Sequence, residues 1–382
     1  MTKAVVDIET DSLDATKIHC IVAKHYYSNQ ERCWIGDECK DFANWSKGIS
    51  EFVMHNGISF DAPVLNRLTG SNIKLNQIRD TLIESQLYNP IRDSGHSLEA
   101  WGQRLNFSKG DFNEFTEYSD KMLEYCKRDV ELTKRLSVKL EEEGKIFSSQ
   151  AYDIERQIRS IIDKQQQNGF ALNIKEAMLL RSELLDEQYK LEKQADETFP
   201  PKEIQLKTKV KYVPFNIASR KQIAERLIEK GWKPDKHTEK GNIIVSEEVL
   251  SKIKNIPEAE MFSRYFLLQK RTGLLKSWIQ ECQEDERVRG KVLTLRTVTG
   301  RMAHHSPNMA QVPAVYSPYG KECRSLWTVS NTDTHKLVGT DASGLEIRCL
   351  AHYMNDPTFT DTVLGGDVHT ANQKAAGLKT RD

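Results

Sequence analysis

Ala4-Val5-Val6-Asp7-Ile8-Glu9 is a run of mostly branched apolar residues broken by two acids two positions apart. Branched side chains favour extended backbone, and the apolar density predicts a strand buried in a sheet. Residues i and i+2 of a strand point to the same face, so Asp7 and Glu9 share one. Two carboxylates on one face of a buried strand repel each other and lose their hydration. A bound divalent cation removes both penalties, because hard cations take oxygen ligands. A strand end emerging into solvent would carry the same two acids harmlessly, and the pair alone does not separate these readings.

Outward from this stretch, Cys20-Ile21-Val22-Ala23 and Glu51-Phe52-Val53-Met54-His55-Asn56 read as further strands. Residues 119–140 read as a charge-paired helix, stopped by Glu141-Glu142-Glu143-Gly144. This mixture predicts an α/β domain with a central sheet over residues 1–145. From 151 to about 197 the pattern is helical, with Ile154, Ile158, Ile161 and Ile162 on one face. Asn168-Gly169 breaks it, Asn173 caps a second long helix, and Phe199-Pro200-Pro201 ends that one. A lysine-rich loop follows (Lys202, Lys207, Lys209, Lys211), then helices over 219–230 and 257–283. Region 146–290 is therefore expected to be mainly helical. In 291–382, Val292-Leu293-Thr294-Leu295 is strand-like, Leu337-Val338-Gly339-Thr340-Asp341 reads as a buried strand ending in an acid, and 345–354 as a helix. The expected fold class is α/β and mainly-α, in three domains, which suits 382 residues.

With 38% apolar and 29% charged residues the chain suits a soluble globular class. It contains no run of 18 apolar residues and no signal-peptide pattern, so no membrane partner is expected. Its seven cysteines form no C-x-x-C pair, which argues against a disulfide framework or a cysteine zinc site. Secreted, membrane and fibrous classes are excluded on these grounds, and a reducing compartment fits. The net charge is zero but uneven: residues 1–144 hold 18 basic and 24 acidic side chains, a net of −6, and the remainder +6. A basic rear half can hold a polyanion, although random scatter of surface charge would give the same imbalance.

Two more acids stand in local patterns. Asn56-Gly57-Ile58-Ser59-Phe60-Asp61 places one just after a strand, where an Asn-Gly turn with a helix-capping aspartate is the plain reading. In Tyr125-Cys126-Lys127-Arg128-Asp129 the i, i+4 spacing puts hydroxyl and carboxylate on one helix face, although a half-buried tyrosine beside a surface acid would look the same. The order D-x-E, N-x3-F-D, Y-x3-D resembles the three exonuclease motifs of the DnaQ-like, RNase H-fold proofreading nucleases. That resemblance implies that Asp7, Glu9, Asp61 and Asp129 ligate two Mg²⁺ ions for phosphodiester hydrolysis, with Asp7 bridging them. It also implies that Tyr125 orients the attacking water and Asn56 contacts DNA. Surroundings poor in Lys and Arg are expected for a site dominated by metal charge.

In the rear half, Thr297-Val298-Thr299-Gly300-Arg301 leads to Pro307-Asn308-Met309-Ala310-Gln311-Val312-Pro313. Asp341-Ala342-Ser343-Gly344-Leu345-Glu346-Ile347-Arg348 and Gly366-Asp367-Val368-His369-Thr370 follow. These resemble the T-x-T-G-R, palm motif A (D-x-S-x-x-E-x-R) and G-D-x-H-T segments of family A DNA polymerases, with a pattern similar to those of podovirus-type phages. The resemblance implies a helical thumb over 146–290 and an incomplete palm with the start of the fingers over 291–382. It also implies primer-template DNA and dNTP as partners. Asp341 and the Ala342 carbonyl would hold Mg²⁺, and Glu346 would floor the sugar pocket. His369 and Arg381 would reach the incoming phosphates, and Arg301 and Gln311 would contact DNA. The helices of 202–276 would grip phosphates without regard to base sequence.

Departures from that pattern shape the expectation. None of the ten histidines is followed by Asp, so the H-D-E segment of the family's palm has no counterpart, nor does its fingers helix. Polymerisation would therefore need a C-terminal fragment supplied as a second chain, with a truncated chain or an interrupted gene product as the other readings. Only 14 residues separate Phe199 from Pro214, so the long thumb insertion that captures thioredoxin in some relatives is not expected. The cytoplasm of an infected host cell is the expected location. The alternative function is a stand-alone 3′-5′ DNA exonuclease whose rear half only holds DNA.

Overall fold

The computed structural model describes residues 2–205, 210–366, 370, 373–374 and 376–378. The chain forms two compact units, Met1–Thr328 and Val329–Asp382.

The first unit opens with a five-stranded sheet in the order β3-β2-β1-β4-β5. β1 (Lys3–Thr10) and β2 (Ile18–His25) pair antiparallel, as do β2 and β3 (Glu31–Ile35). β4 (Glu51–Met54) runs parallel to β1, and β5 (Ile78–Asp80) parallel to β4. The alternation along β1 settles where its acids go. Ala4, Val6 and Ile8 join a core with Trp34, Phe42, Phe52 and Leu65 on one side of the sheet. Val5 joins a second core with Val22, Val53, Met122, Cys126 and Val130 on the other. Asp7 and Glu9 have the parity of Val5, so they face the helix that carries Met122, Cys126 and Val130.

After β4 the chain turns through Asn56, whose φ is +66°, into α1 (Asp61–Thr69). Gly57 lies so close to β4 that a Cβ there would stand 2.2 Å from Met54 Cβ. Asp61 is the first residue of α1 rather than its cap, which is Phe60. Helix α2 (Asp120–Glu143) is capped by Ser119, whose hydroxyl accepts from the Met122 amide, and covers the sheet face that carries Asp7 and Glu9.

α3 (Ser149–Asn168) and α4 (Ile174–Thr198) follow the expected break, with the Asn173 side chain accepting from the Glu176 amide. The isoleucine stripe of α3 does not form a core face: Ile154 and Ile161 are exposed and only Ile162 is buried. The helix is held by polar side chains instead. Within the expected lysine-rich loop, Lys202–Gln205 and Val210–Val213 pair as antiparallel strands, and Lys207 and Lys209 lie outside the described residues. α5 (Glu258–Gln280) packs on α4, and Arg264 grips Glu187 at 2.7 and 2.9 Å.

In the second unit, α6 (Leu345–Met354) and α7 (Pro357–Gly365) pack through Ile347, Ala351, Phe359 and Val363. The expected buried strand over 337–341 is not a strand. Leu337 is 54% and Val338 88% exposed, and none of the strands in the described residues pairs with the segment. An apolar segment without sheet neighbours has no ladder to stabilise it. No helix among the described residues is long and apolar enough to cross a membrane.

Candidate metal centre

The C-terminal ends of the parallel strands β1 and β4 open on the same edge, where open α/β sheets bind ligands. β1 brings Asp7 and Glu9 there, the turn after β4 brings Asp61, and α2 brings Tyr125, Cys126 and Asp129. Ligand atoms of Asp7, Glu9 and Cys126 lie within 4.8 Å of one another. Glu9, Asp61 and Asp129 are all buried, at 7%, 4% and 3% exposure.

These carboxyls form one electrostatic cluster. Burial, then the charges of Asp61, Asp129 and Glu9, pushes the Asp7 carboxyl well above its ordinary range. Burial and Asp129 push Glu9 up to about 8. Asp61 rises to about 7, mainly through burial, although the backbone of Asp61 and Ile8 hydrogen-bonds its carboxyl. Burial also raises Asp129, against the pull of Lys109. Four acids that resist ionisation together favour positive charge beside them.

The donor set fits a hard divalent ion. Asp129 Oδ1 is buried without a hydrogen-bond partner. Such an atom is costly unless something coordinates it. Cys126 Sγ lies 3.5 Å from both the Asp7 carbonyl and Asp7 Oδ2. Burial lifts its thiol far above its usual range, so it stays neutral and leaves oxygens as the donors for a hard ion.

The expectation of a Lys- and Arg-poor pocket is wrong. Lys109 Nζ stands 2.9 Å from Asp129 Oδ2 and 4.9 Å from the centre of the Tyr125 ring. Burial lowers the Lys109 ammonium's pKa and Asp129 more than restores it, so it stays charged. Lys109 lies in an irregular segment with no periodicity, which hid it from sequence reading. Cys126 was also missed, although its i, i+3 spacing to Asp129 on one helix could have pointed to it. Phe112 packs against Tyr125 with ring centres 5.5 Å apart, beside a cavity of about 660 Å³ that Lys121, Lys127 and Arg128 also line.

Asn56 lies in the turn before Asp61, with Arg159 Nη2 3.5 Å from its Oδ1. Two further expected site residues stand elsewhere in the first unit. Arg301 is exposed in a tight turn, where the Thr297 hydroxyl accepts from its amide at 2.8 Å, and Gln311 is exposed in a short 3₁₀ turn. Asp341, Ala342 and Glu346 lie exposed in the second unit. His369 and Arg381 lie outside the described residues.

Comparison with known proteins accounts for both halves. Residues 2–145 match the 3'-5' exonuclease family model, and residues 185–380 match that of DNA polymerase family A. The DNA-directed DNA polymerase of Escherichia phage T7 is 29% identical over 526 aligned positions, covering 99% of this chain and 73% of that protein. Its counterpart from Enterobacteria phage T3 is 28% identical over the same shares. DNA polymerase I of Helicobacter pylori is 26% identical over 78% of this chain and 32% of its own length. Among solved structures, the POL domain of Pol1 from M. smegmatis, in complex with DNA primer-template and dNTP, superposes with a TM-score of 0.74. It does so at 15% identity, over 99% of this chain and 64% of that one. The polymerase match over 185–380 disfavours a stand-alone exonuclease with a passive rear half. The chain belongs to DNA polymerase family A and carries a 3'-5' exonuclease domain at its N-terminal end.

Proposed function

We propose that the carboxylate pocket hydrolyses the 3′-terminal phosphodiester of DNA with two Mg²⁺ ions held by Asp7, Glu9, Asp61 and Asp129. The observation that carries this reading is the buried, partnerless Asp129 Oδ1 beside three further acids that burial keeps from ionising together. When bound, the ions supply Lewis acidity and activate water. Tyr125, whose phenol is kept protonated by burial, donates a hydrogen bond that orients the attacking oxygen. Tyr125→Phe is expected to lower kcat by about 10²-fold with an unchanged melting midpoint, measured on a 3′-labelled single strand.

The rear half is proposed to hold primer-template DNA through Arg301 and Gln311, with Asn56 on the strand at the nuclease pocket. Asp341, the Ala342 carbonyl, Glu346, His369 and Arg381 are proposed to hold an incoming dNTP with Mg²⁺. We further propose a second polypeptide that supplies the remaining fingers and palm. It is supported by the unpaired, exposed Leu337 and Val338 and by Leu350, Tyr353 and Met354, exposed on α6. Thioredoxin is not among the proposed partners, because only 14 residues separate Phe199 from Pro214. The phage relatives support a place in the host cell's cytoplasm.

The test is primer extension with and without a polypeptide carrying the fingers helix and an H-D-E segment. Synthesis only in the mixture is expected. Synthesis by this chain alone, or none in the mixture, would contradict the two-chain reading.

A further inference from the structure

The turn that aims Asp61 is held from outside its own sequence motif. Asp80, at the end of β5 and 1% exposed, accepts three backbone N–H groups. Its Oδ1 takes Asn56 N–H and Leu82 N–H, each at 2.9 Å, and its Oδ2 takes Ile58 N–H at 3.1 Å. Asn56 is left-handed, a conformation uncommon outside glycine but tolerated by asparagine, and these bonds fix it in the turn. On the other side of the turn, Arg159 Nε donates to Ser59 Oγ at 2.5 Å and Nη2 reaches Asn56 Oδ1 at 3.5 Å. Ser59 Oγ in turn donates to Asp163 Oδ2 at 2.7 Å. Arg159 and Asp163 lie on α3, beyond the residues that match the exonuclease family model.

We propose that Asp80 and Arg159 are positioning residues for Asp61, so that the nuclease pocket is completed by a helix outside the exonuclease domain. The proposal rests on the nuclease reading of the site. α3 has a second attachment. Gln166 Oε1 accepts from Val292 N–H at 2.6 Å, and the carbonyls of Gln167 and Asn168 accept from Arg289 and Arg287 at 2.9 and 2.6 Å. One 20-residue helix therefore ties the Asp61 turn to the segment that precedes Thr297-Val298-Thr299-Gly300-Arg301. A shift of that segment along α3 reaches the turn through Arg159, as far as the helix moves as a rigid body.

The chemistry predicts an asymmetric response. Asn in place of Asp80 keeps one acceptor but turns an amide donor toward Ile58 N–H, so that bond is lost. Lys in place of Arg159 keeps the charge and loses the fork. The test uses the full chain with Asp80→Asn, Arg159→Ala and Arg159→Lys. It reads kcat and KM for digestion of a 3′-labelled strand, Mn²⁺ binding without DNA by the loss of free-ion EPR signal, and the melting midpoint. Asp80→Asn and Arg159→Ala are expected to lower kcat and Mn²⁺ affinity by about 10- to 100-fold, as loss of a ligand's supporting partner does. KM should move less than kcat, because neither residue touches the strand and Asn56 alone links them to it. Arg159→Lys should recover part of the loss.

Variants that melt like the parent and match it in kcat and Mn²⁺ affinity would overturn the proposal. Should Asp80→Asn fail to fold, Arg159→Ala and Ser59→Ala decide the outcome. A parent chain that digests nothing sinks the nuclease reading, while its Mn²⁺ binding still tests the clamp. A parent that digests beside an unimpaired Arg159→Ala sinks only the clamp.

Discussion

Asp7→Ala is expected to abolish 3′-end digestion while making the metal-free chain more stable near pH 8. Asp7 contributes to the pocket from the middle of β1 and feels all three other acids of the cluster. Loss of a ligand to Lewis-acidic ions removes several kcal/mol of transition-state stabilisation, which is about 10³-fold or more in rate. The same substitution removes one of the mutually repelling buried carboxyls, and with it a source of strain in the ion-free pocket. Digestion of a 3′-labelled strand and thermal melting in EDTA read the two effects separately. A residue that served only to support the fold would show the opposite pattern: activity and melting midpoint would fall together.

The second large effect is a stability that falls with rising pH until a divalent ion is added. Glu9 is pushed up to about 8 and Asp61 to about 7, and Asp7 and Asp129 are raised as well. An acid whose pKa is raised by folding binds its proton more tightly in the folded chain. Its contribution is therefore lost as pH climbs from the unfolded value through the folded one. Each pH unit over which such a group stays protonated only in the folded state costs about 1.4 kcal/mol. Below about pH 6.5 the sign is opposed by His55, whose burial holds it down to about 3 and which must charge on unfolding. The diagnostic window is thus pH 6.5 to 8.5. Melting in EDTA should drop by roughly 5–10 °C across it, and Mg²⁺ should flatten the curve. A flat curve in EDTA, or no response to Mg²⁺, would mean that the acids are not an ion-seeking cluster.

How far the sequence led depends on the range of the interactions. β1 was legible because branched apolar residues and a two-residue period carry their own meaning. The inward turn of Asp7 and Glu9 follows from parity with Val5, once α2 is known to lie on that face. Ser119, Asn173 and the breaks at Gly144 and Gly169 were legible because caps and breaks are local chemistry. Lys109, Asp80 and Arg159 were not, because each acts through a contact that spans 20 or more residues. Residues 337–341 misled for the converse reason. An apolar run states a preference for burial, but burial needs neighbouring strands, and among the described residues none pairs with it. The isoleucines of α3 misled similarly: their spacing marks a face, yet that helix is anchored by Tyr152, Arg156 and Arg159 through polar contacts.

Anomalous diffraction from crystals soaked in Mn²⁺ tests the metal pocket most directly. The account predicts density bounded by the carboxylates of Asp7, Glu9, Asp61 and Asp129, with Lys109 drawn off Asp129 Oδ2. Mn²⁺ found only elsewhere on the chain, with the Lys109–Asp129 pair intact, would contradict it.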